Sequence, residues 1–527
     1  MKPAILSALA AALAASSAQA EVAISNGQTR HITCSRGGIC RPTGERATLN
    51  IGDLTSMLAD GNVKITTGSG AVSITVIDSF SWTGTAGLTL DAQQNVSFRA
   101  PMVVAGPGAV SIATGGGAPI FFNGGRVDFW DSSSKLVING AKYTLVSDIH
   151  SFAAAVADKP DGRYALAADY DARQDGVYGD IPVDTFNGTL EGLGHTISRF
   201  TVRSPQGSAA FIDDIQAQGV VRDLAFTGAV VSGLHKPHDF SAVAAVLAIV
   251  NAGAISHVRV DGTVSTKGEH GEAAGLVLVN GGTIDRCTAS VSAEGPGSSS
   301  SAAGFVSTND TGGIITNSHA SGTVTATLAG GFAMQNGGTI SLSSATGAVS
   351  ATGNSVASLI SGGFIAVNYG AIDRSFATGD VDAGPGHNSF EPSMAGGFVG
   401  YQRSGSGIAD SYATGAVGVG SVGSAAGFAQ TGGDAIATSW SSGAVVAADP
   451  NAAQGFAVTP PGTATNDYWD TDASGLSTGC NGACPGVTGL TTAQFKSGLP
   501  AGFDPAIWGE SGGINNGYPY LLANPPQ

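Results

Sequence analysis

Two stretches of the sequence decide the fold: Ile372-Asp-Arg-Ser-Phe-Ala-Thr-Gly-Asp-Val381 and Ile408-Ala-Asp-Ser-Tyr-Ala-Thr-Gly-Ala-Val417. They are close copies of one unit that recurs from residue 221 to residue 458. Each unit opens with an aliphatic residue, and successive openings are 25 to 36 residues apart. The openings are Val221, Ile255, Ile284, Ile315, Ile340, Ile372, Ile408 and Ile436. The chain is therefore dominated by eight copies of one structural element.

The alternation within a unit predicts a strand with a small, inward face. Ser375, Ala377, Gly379 and Val381 share one side of such a strand, and these positions are small or apolar in nearly every unit. Each unit after the first later supplies one bulky apolar residue after a glycine. These residues are Leu276, Phe305, Phe332, Phe364, Phe398, Phe428 and Phe456. We therefore predict an all-β fold, a right-handed parallel β-helix (solenoid) in which each coil stacks like residue on like.

Composition excludes several other classes of protein. Helical repeats need continuous 3.6-residue apolar periodicity, which these Gly- and Ser-rich units lack. The 527 residues include 79 glycines without a three-residue period, so the chain is not collagen-like. A hydrophobic fraction of 42% argues against disorder. The net charge of −16, with only 23 Lys and Arg residues, argues against a nucleic-acid partner.

The N-terminus predicts export. Met1-Lys-Pro3 is a short basic region, residues 4–15 form an apolar core, and Ser17-Ala-Gln-Ala20 provides a cleavage site. Residues 1–20 are therefore predicted to be a signal peptide. We expect a secreted or cell-surface protein associated with the outer membrane, with the periplasm as the alternative location.

The rest of the chain divides by pattern. We predict an N-terminal cap at 21–45, narrow β-solenoid coils at 46–140, and a helix-containing connecting segment of the solenoid at 141–220. One short helix is expected near 148–158, where Ser147 or Asp148 can cap it. The eight repeats occupy 221–458, and a C-terminal cap segment occupies 459–527.

The cysteine pattern agrees with the predicted export. Cys34 with Cys40, and Cys480 with Cys484, are plausible small-loop disulfides in an oxidising compartment, with free thiols as the alternative. Zinc is less favoured because neither pair has the C-x-x-C spacing. Cys287 stands at the inward position that later coils fill with Ser318, Ser343, Ser375, Ser411 and Ser439. It is therefore interpreted as a buried structural thiol.

The repeats resemble the GLUG repeats of bacterial filamentous-haemagglutinin-like surface proteins. The resemblance rests on the Ile-x-x-Ser-[Phe/Tyr]-Ala-Thr-Gly-x-Val units and on Gly188-Thr-Leu-Glu-Gly-Leu-Gly-His-Thr-Ile197 before them. It also rests on Asn466-Asp-Tyr-Trp-Asp470 and Gly517-Tyr-Pro-Tyr-Leu521 after them. The resemblance implies an adhesin-like, non-enzymatic β-helix. Its partner would be a glycan or surface protein of a host or neighbouring cell, and an outer-membrane protein could assist its secretion.

One row of side chains is a candidate binding site. The outward position four residues into the last three units holds Phe376, Tyr412 and Trp440. Stacked along one face, these rings could bind sugar rings. In the alternative interpretation, the C-terminal segment containing Tyr468 and Trp469 covers them.

An enzyme is the competing class, since parallel β-helices also include polysaccharide lyases and hydrolases. Asp223, Asp285, Asp373 and Asp410 recur with arginines at the turn that opens a unit, which favours solvated turn chemistry over one unique catalytic site. The sequence has no Gly-x-Ser-x-Gly, His-Glu-x-x-His or P-loop motif. The acidic loop at 169–180 resembles a calcium loop only loosely, because Arg173 occupies a ligand position. We therefore expect no catalytic residues, no metal site and no cofactor.

Overall fold

The structure is a computed structural model that describes residues 20–68, 71–115, 117–122, 124–234, 241–353, 358–388, 391–431, 433 and 435–526. The predicted signal peptide, except Ala20, lies outside the described residues. The chain forms two compact units, residues 1–143 and residues 144–527.

The first unit consists of short, mostly parallel strands in three sheets. The first sheet contains Glu21–Ser25, Arg46–Asn50, Ser73–Val76, Val96–Phe98 and Ile120–Phe121. The second contains Ile32–Cys34, Ile39–Pro42, Val63–Thr66, Gly87–Asp91, Ala109–Ala113, Lys135–Ile138 and the start of Ala141–Val146. The third contains Phe80–Trp82, Pro101–Val104 and Arg126–Phe129. Residues 21–25 pair with two strands of the first sheet, so the predicted N-terminal cap contributes to the sheet itself.

This unit also contains a helix, α1 (Ile51–Asp60), and the expectation of a single helix near 148–158 is therefore wrong. The Asn50 side chain caps α1 by accepting a hydrogen bond from the Gly52 backbone N–H at 2.8 Å. Leu54 and Leu58, four residues apart, are buried on one face of the helix. Asn50 and this spacing were the available sequence signal, obscured by neighbouring residues with strand-like alternation.

The second unit is a parallel β-helix with four sheets, numbered in the order in which a coil visits them. Sheet 1 contains Arg163–Leu166, Thr189–Glu191, Val220–Arg222, Ala254–Ser256, Thr283–Asp285, Ile314–Thr316, Thr339–Ser341, Ala371–Asp373, Gly407–Ala409, Ala435–Ala437 and Thr463–Thr465. Sheet 2 contains Tyr170–Asp171, Thr196–Ser198, Thr201–Ser204, Ala225–Leu234, Arg259–Lys267, Thr288–Glu294, His319–Ala320, Val324–Ala326, Ser344–Ala345, Val349–Ala351, Phe376–Ala377, Val381–Ala383, Tyr412–Ala413, Val417–Val419, Trp440–Ser441, Val445–Ala447, Asp467–Asp470 and Val487–Leu490. Sheet 3 contains Ser208–Ala209, Ser241–Ala245, His270–Ala274, Ser301–Ala303, Leu328–Gly330, Ile360–Gly362, Ser393–Gly396, Gly423–Ala426 and Ala453–Gln454. Sheet 4 contains Val183–Phe186, Ile212–Ile215, Ala248–Asn251, Val277–Asn280, Val306–Asn309, Ala333–Asn336, Ile365–Asn368, Val399–Gln402, Ala429–Thr431 and Ala457–Thr459.

Among the described residues of this unit, three α-helices and one antiparallel strand pair accompany the four sheets. The helices are α2 (Ile149–Asp158), α3 (Thr471–Ser474) and α4 (Thr492–Phe495), and the strand pair is Trp508–Gly509 with Tyr520–Leu521. The helix α2 is the one expected, and Asp148 caps it through the Ser151 backbone N–H at 2.6 Å. Among the described residues, no helix is long and apolar enough to cross a membrane.

The registers confirm the predicted stacking. Each opening residue from Val221 to Ile436 pairs with the opening residue of the next coil, and all are buried. The phenylalanine rings from Phe305 to Phe456 form a continuous stack with centroids 4.6 to 5.0 Å apart. This separation is the strand spacing of a sheet, so one repeat is one coil.

A ladder of buried serines stabilises the turn between sheets 1 and 2. Within each turn, Ser375 Oγ donates to the Asp373 carbonyl at 2.9 Å. Between coils, the Ser375 N–H donates to Ser411 Oγ at 3.3 Å. The residue between Asp373 and Ser375 is Arg374, whose φ of 46° is in the left-handed region. The ladder therefore stabilises a strained turn that recurs along the repeats.

Cys287 belongs to this ladder, as predicted. Its N–H donates to Ser318 Oγ at 3.2 Å, and its thiol donates to the Asp285 carbonyl at 3.4 Å. Burial raises the pKa of the Cys287 thiol to about 12, so the thiol stays protonated.

A second ladder, of asparagines, was not anticipated. Each Nδ2 donates to the Oδ1 of the next coil at 2.7 to 2.9 Å. The members are Asn251, Asn280, Asn309, Asn336 and Asn368, and all are fully buried. The same side chains also bond to the backbone of the turn that follows sheet 4, as Asn368 does to both polar groups of Gly370 at 3.2 Å. The recurrence of Asn at one coil position was the sequence signal for this ladder.

Candidate functional site

The three predicted sugar-stacking residues do form a ladder. The rings of Phe376 and Tyr412 are 5.0 Å apart, and those of Tyr412 and Trp440 are 4.9 Å apart, with interplanar angles of 8° and 6°. Their exposed fractions, however, are 1%, 0% and 0%. A sugar ring cannot reach buried faces, so the prediction of a glycan-binding ladder at these residues is corrected.

The C-terminal part of the chain covers the ladder. The Tyr518 ring lies parallel to Trp440 at 5.4 Å, and Trp508 Nε1 donates to Asp410 Oδ1 at 3.0 Å. Phe495 and Phe503 complete this apolar cluster. The alternative interpretation is thus confirmed in outline. Its two named residues behave differently, because Tyr468 extends the aromatic row while Trp469 packs into the interior.

We predict that Trp440→Ala destabilises the fold, because it removes a buried ring between two stacked neighbours. The expected loss is about 3–5 kcal/mol of the free energy of unfolding. Denaturant unfolding followed by circular dichroism measures it. Trp130→Ala is the matched control, since that ring is 70% exposed; equal stability of both variants would contradict the prediction.

The predicted cysteine pairs are bonded in the structure. Cys34 and Cys40 close the hairpin between two strands of the first unit, and Cys480 and Cys484 are joined in the second unit. Both disulfides lie in short local loops. They therefore stabilise local structure at the start of the first unit and near the end of the second.

A cluster of titratable side chains surrounds Glu191 and Asp223, which lie in successive coils. Arg222 Nε lies 2.6 Å from Glu191 Oε2, and His257 Nδ1 lies 3.9 Å from Asp223 Oδ1. Glu191 is fully buried, and Asp223 is 7% exposed. Asp223 Oδ2 has no hydrogen-bond partner among the described residues. The expectation that Asp223 sits in a solvated turn is therefore wrong.

The protein environment raises the pKa values of both carboxyl groups. Burial raises the pKa of both, and the charge of Glu191 raises the pKa of Asp223 further, whereas Arg222 stabilises the Glu191 carboxylate. The pKa of Asp223 is therefore raised well above its usual value, and Arg222 limits the rise for Glu191. Burial, followed by the charge of Arg286, lowers the pKa of His257, which keeps that imidazole neutral.

The raised pKa of Asp223 predicts a pH-dependent stability. Because the pKa of Asp223 is higher in the folded chain than in the unfolded chain, stability is lost as the pH rises from about 4 towards the folded pKa. Asp223→Asn removes this titration. We expect it to increase stability relative to the unmutated chain more at pH 8 than at pH 4, measured by denaturant unfolding at both pH values. Asp382→Asn, at an exposed position, is the control. Equal effects of both substitutions on the free energy of unfolding would contradict a raised pKa of Asp223.

The acidic loop at 169–180 has its carboxylates already engaged. Arg199 and Arg173 contact Asp171, and their hydrogen bonds hold the pKa of Asp171 well below its usual range. The Tyr170 and Tyr178 hydroxyls both donate to Asp175. Within the described part of the chain, no group of three or more acidic, His or Cys side chains is arranged to hold a metal ion.

An open groove runs along sheet 2 of the second unit. Its volume is about 480 Å³, and it crosses five successive coils. The lining residues are 323–325, 348–350, 380–382, 416–418, 444 and 446. Five strands at about 4.8 Å give about 19 Å between the first and the last. The groove is therefore elongated across the coils.

A column of glycines borders the groove. Each closely approaches the coil before it, and a Cβ on Gly379 would lie 1.9 Å from the Gly347 carbonyl oxygen. Only glycine permits this approach. The chain bends at Gly379 between the strands Phe376–Ala377 and Val381–Ala383, beside the groove. The recurrent glycine was evident in the sequence, but its link to a surface groove was not.

The groove is lined by small side chains and by two acidic ones. The charged lining residues are Asp380 and Asp382, and the lining includes no Lys or Arg. Asp380 Oδ1 accepts a hydrogen bond from the Ala416 backbone N–H at 2.9 Å. Hydroxyl groups come from Thr323, Thr325 and Ser350. This surface offers hydrogen bonds and apolar contact to a neutral ligand and repels an anionic one.

The fold and these surfaces define a parallel β-helix repeat protein. No family model matches the sequence, and no curated protein matches it. A solved structure that matches is a "putative immunoglobulin A1 protease" from Bacteroides ovatus, with 15% identity over 72% of this chain and 93% of that chain. Its TM-score of 0.28 is too low to support any inference about this protein.

Proposed function

We propose that this protein is a secreted or cell-surface adhesin-like β-helix, related to the GLUG-repeat haemagglutinin-like proteins, that binds a neutral glycan. The observation that carries the proposal is the groove across five coils. An extended polymer can contact equivalent residues on successive coils. Many weak contacts then act together, as adhesion requires.

The choice of a neutral glycan follows from the groove's chemistry. Its hydroxyl groups and its two carboxylates can bond to sugar hydroxyls, and its small side chains leave room for the rings. Asp380 and Asp382 disfavour an anionic polymer in this groove. A protein partner is the alternative occupant, and binding to a glycan array distinguishes the two.

The burial of Glu191 and Asp223 supports a binding role over a polysaccharide lyase or hydrolase. A general acid and base must reach the scissile bond. Glu191 is completely enclosed, and its charge is compensated by Arg222. This pair therefore resembles a structural cluster more than a catalytic one.

Filling the groove should abolish glycan binding. The double substitution Ala348→Leu/Ala416→Leu adds bulk at two exposed lining positions. We expect at least about a tenfold loss of affinity for the neutral glycan that the unmutated protein selects on a glycan array. Ala371→Leu, at an exposed alanine of sheet 1, is the control. Unchanged binding by the double variant, or binding of a surface protein alone, would contradict the proposal.

The proposed location has its own test. Cells producing the protein are separated into medium, surface, periplasm and cytoplasm, and each fraction is probed with an antibody. We expect the protein in the medium or at the surface, in a form lacking residues 1–20. Retention in the cytoplasm at full length would refute export.

A further inference from the structure

An exposed arginine lies between two tyrosine rings on sheet 4 and the turn that follows it. The Arg403 guanidinium carbon is 4.7 Å from the Tyr401 ring centroid and 5.6 Å from that of Tyr369. Tyr369 is 42% exposed, Arg403 is exposed, and Tyr401 is half-buried. These three side chains form what we name the tyrosine–arginine cluster.

Strand register and backbone hydrogen bonds fix the positions of Tyr369 and Arg403. Asn368 pairs with Gln402, so Tyr369 and Arg403 occupy the same turn position in successive coils. The Tyr369 N–H donates to the Asn336 carbonyl at 2.7 Å, and the Arg403 N–H donates to the Asn368 carbonyl at 2.9 Å. The Asn368 side chain, at the end of the buried asparagine ladder, also bonds to Gly370 in the turn that contains Tyr369. Hydrogen bonds within the protein therefore hold the backbone of both turns.

The cluster departs from the repeat. Preceding coils carry Gly281, Asp310 and Gly337 at this turn position. Gly337 is one coil below Tyr369 and has no side chain. A hypothetical Cβ there would come no closer than 3.4 Å to any neighbouring atom. In the series Gly281, Asp310, Gly337 and Tyr369, the tyrosine is the first aromatic side chain at this turn position.

Arg403 differs from Arg222, Arg286 and Arg374, which form ion pairs with carboxylates. Arg286 and Arg374 each pair with an adjacent aspartate at 2.6 Å. Within the described residues, no carboxylate lies in ion-pair distance of Arg403. Stacking on the tyrosines leaves the edge of the planar guanidinium free to donate two parallel hydrogen bonds, which matches a carboxylate.

We infer that the tyrosine–arginine cluster binds the carboxylate of an acidic sugar residue, of the uronate or sialate type. The Arg403 guanidinium donates two hydrogen bonds to the sugar carboxylate in a bidentate pair, and the tyrosine rings contact the apolar face of the pyranose and offer hydroxyl groups. This site differs in chemistry and in position from the groove on sheet 2. It does not depend on the proposed neutral-glycan role.

Titration calorimetry with defined ligands tests the inference. The probes are hexagalacturonate and sialyllactose, with the methyl ester of the hexamer and lactose as neutral counterparts, and hexaglutamate as an acid without sugar rings. We expect one or both acidic sugars to bind, at least about tenfold more tightly than the neutral counterparts and hexaglutamate. The two acidic probes distinguish a uronate from a sialate.

Substitutions in the cluster test whether these residues form the binding site. Arg403→Gln removes the charge and should weaken binding about tenfold or more, and Arg403→Lys should restore it only in part. Tyr369→Ala should weaken it through lost ring contact. Arg286→Gln removes one positive charge elsewhere and should leave affinity unchanged. Absence of binding, equal binding of hexaglutamate or the neutral sugars, or an unchanged Arg403→Gln variant would each overturn the inference; circular dichroism confirms folding of each variant.

Discussion

The structure of the second unit depends on one constraint: every residue must be compatible with its equivalent about 4.8 Å away in the neighbouring coil. Parallel strands place equivalent side chains in direct contact, so a side chain that stacks on itself is strongly favoured. Phenylalanine meets this condition by parallel stacking, with interplanar angles as low as 3° between Phe398, Phe428 and Phe456. Asparagine meets it because its side-chain amide donates to one neighbouring coil and accepts from the other. Serine meets it because its hydroxyl donates within its own turn and accepts from the backbone N–H of the serine in the preceding coil.

The same constraint explains how so polar an interior is tolerated. A buried amide without partners would be costly. In the ladder, Asn309 accepts from Asn280 and donates to Asn336, and it also bonds to the backbone of its own turn. The ladder therefore satisfies its polar groups internally and at the same time shapes the surface turns. Ordering of the exposed turns is thus a consequence of buried hydrogen bonds.

How much could be predicted from the sequence follows from this repetition. The aliphatic, phenylalanine and serine columns were predictable because each recurs at a constant local position, and Cys287 was identified by the column it joins. Several features that occur only once were missed. Helix α1 occurs once, and the contact of Trp508 with Asp410 joins residues 98 positions apart. The ion pair of Glu191 with Arg222 required the coil register around Gly188, which precedes the eight recognised repeats. The buried aromatic ladder shows a different limit of sequence-based prediction. Alternation indicates which side of a strand a residue occupies, but it does not indicate whether another segment covers that side.

Departures from the repeat are therefore candidate sites of function. A solenoid gains its stability through columns of identical residues, and a residue that breaks a column gives up part of that contribution. The replacement of a turn glycine by Tyr369, and then by Arg403, adds exposed side chains that the stacked interior does not need. Asp380 and Asp382 likewise place carboxylates where neighbouring coils have small residues. The cluster around Glu191 is also a departure, but its charges are enclosed and mutually compensated. Exposure, and not irregularity alone, separates a surface that can bind a partner from one that serves the fold.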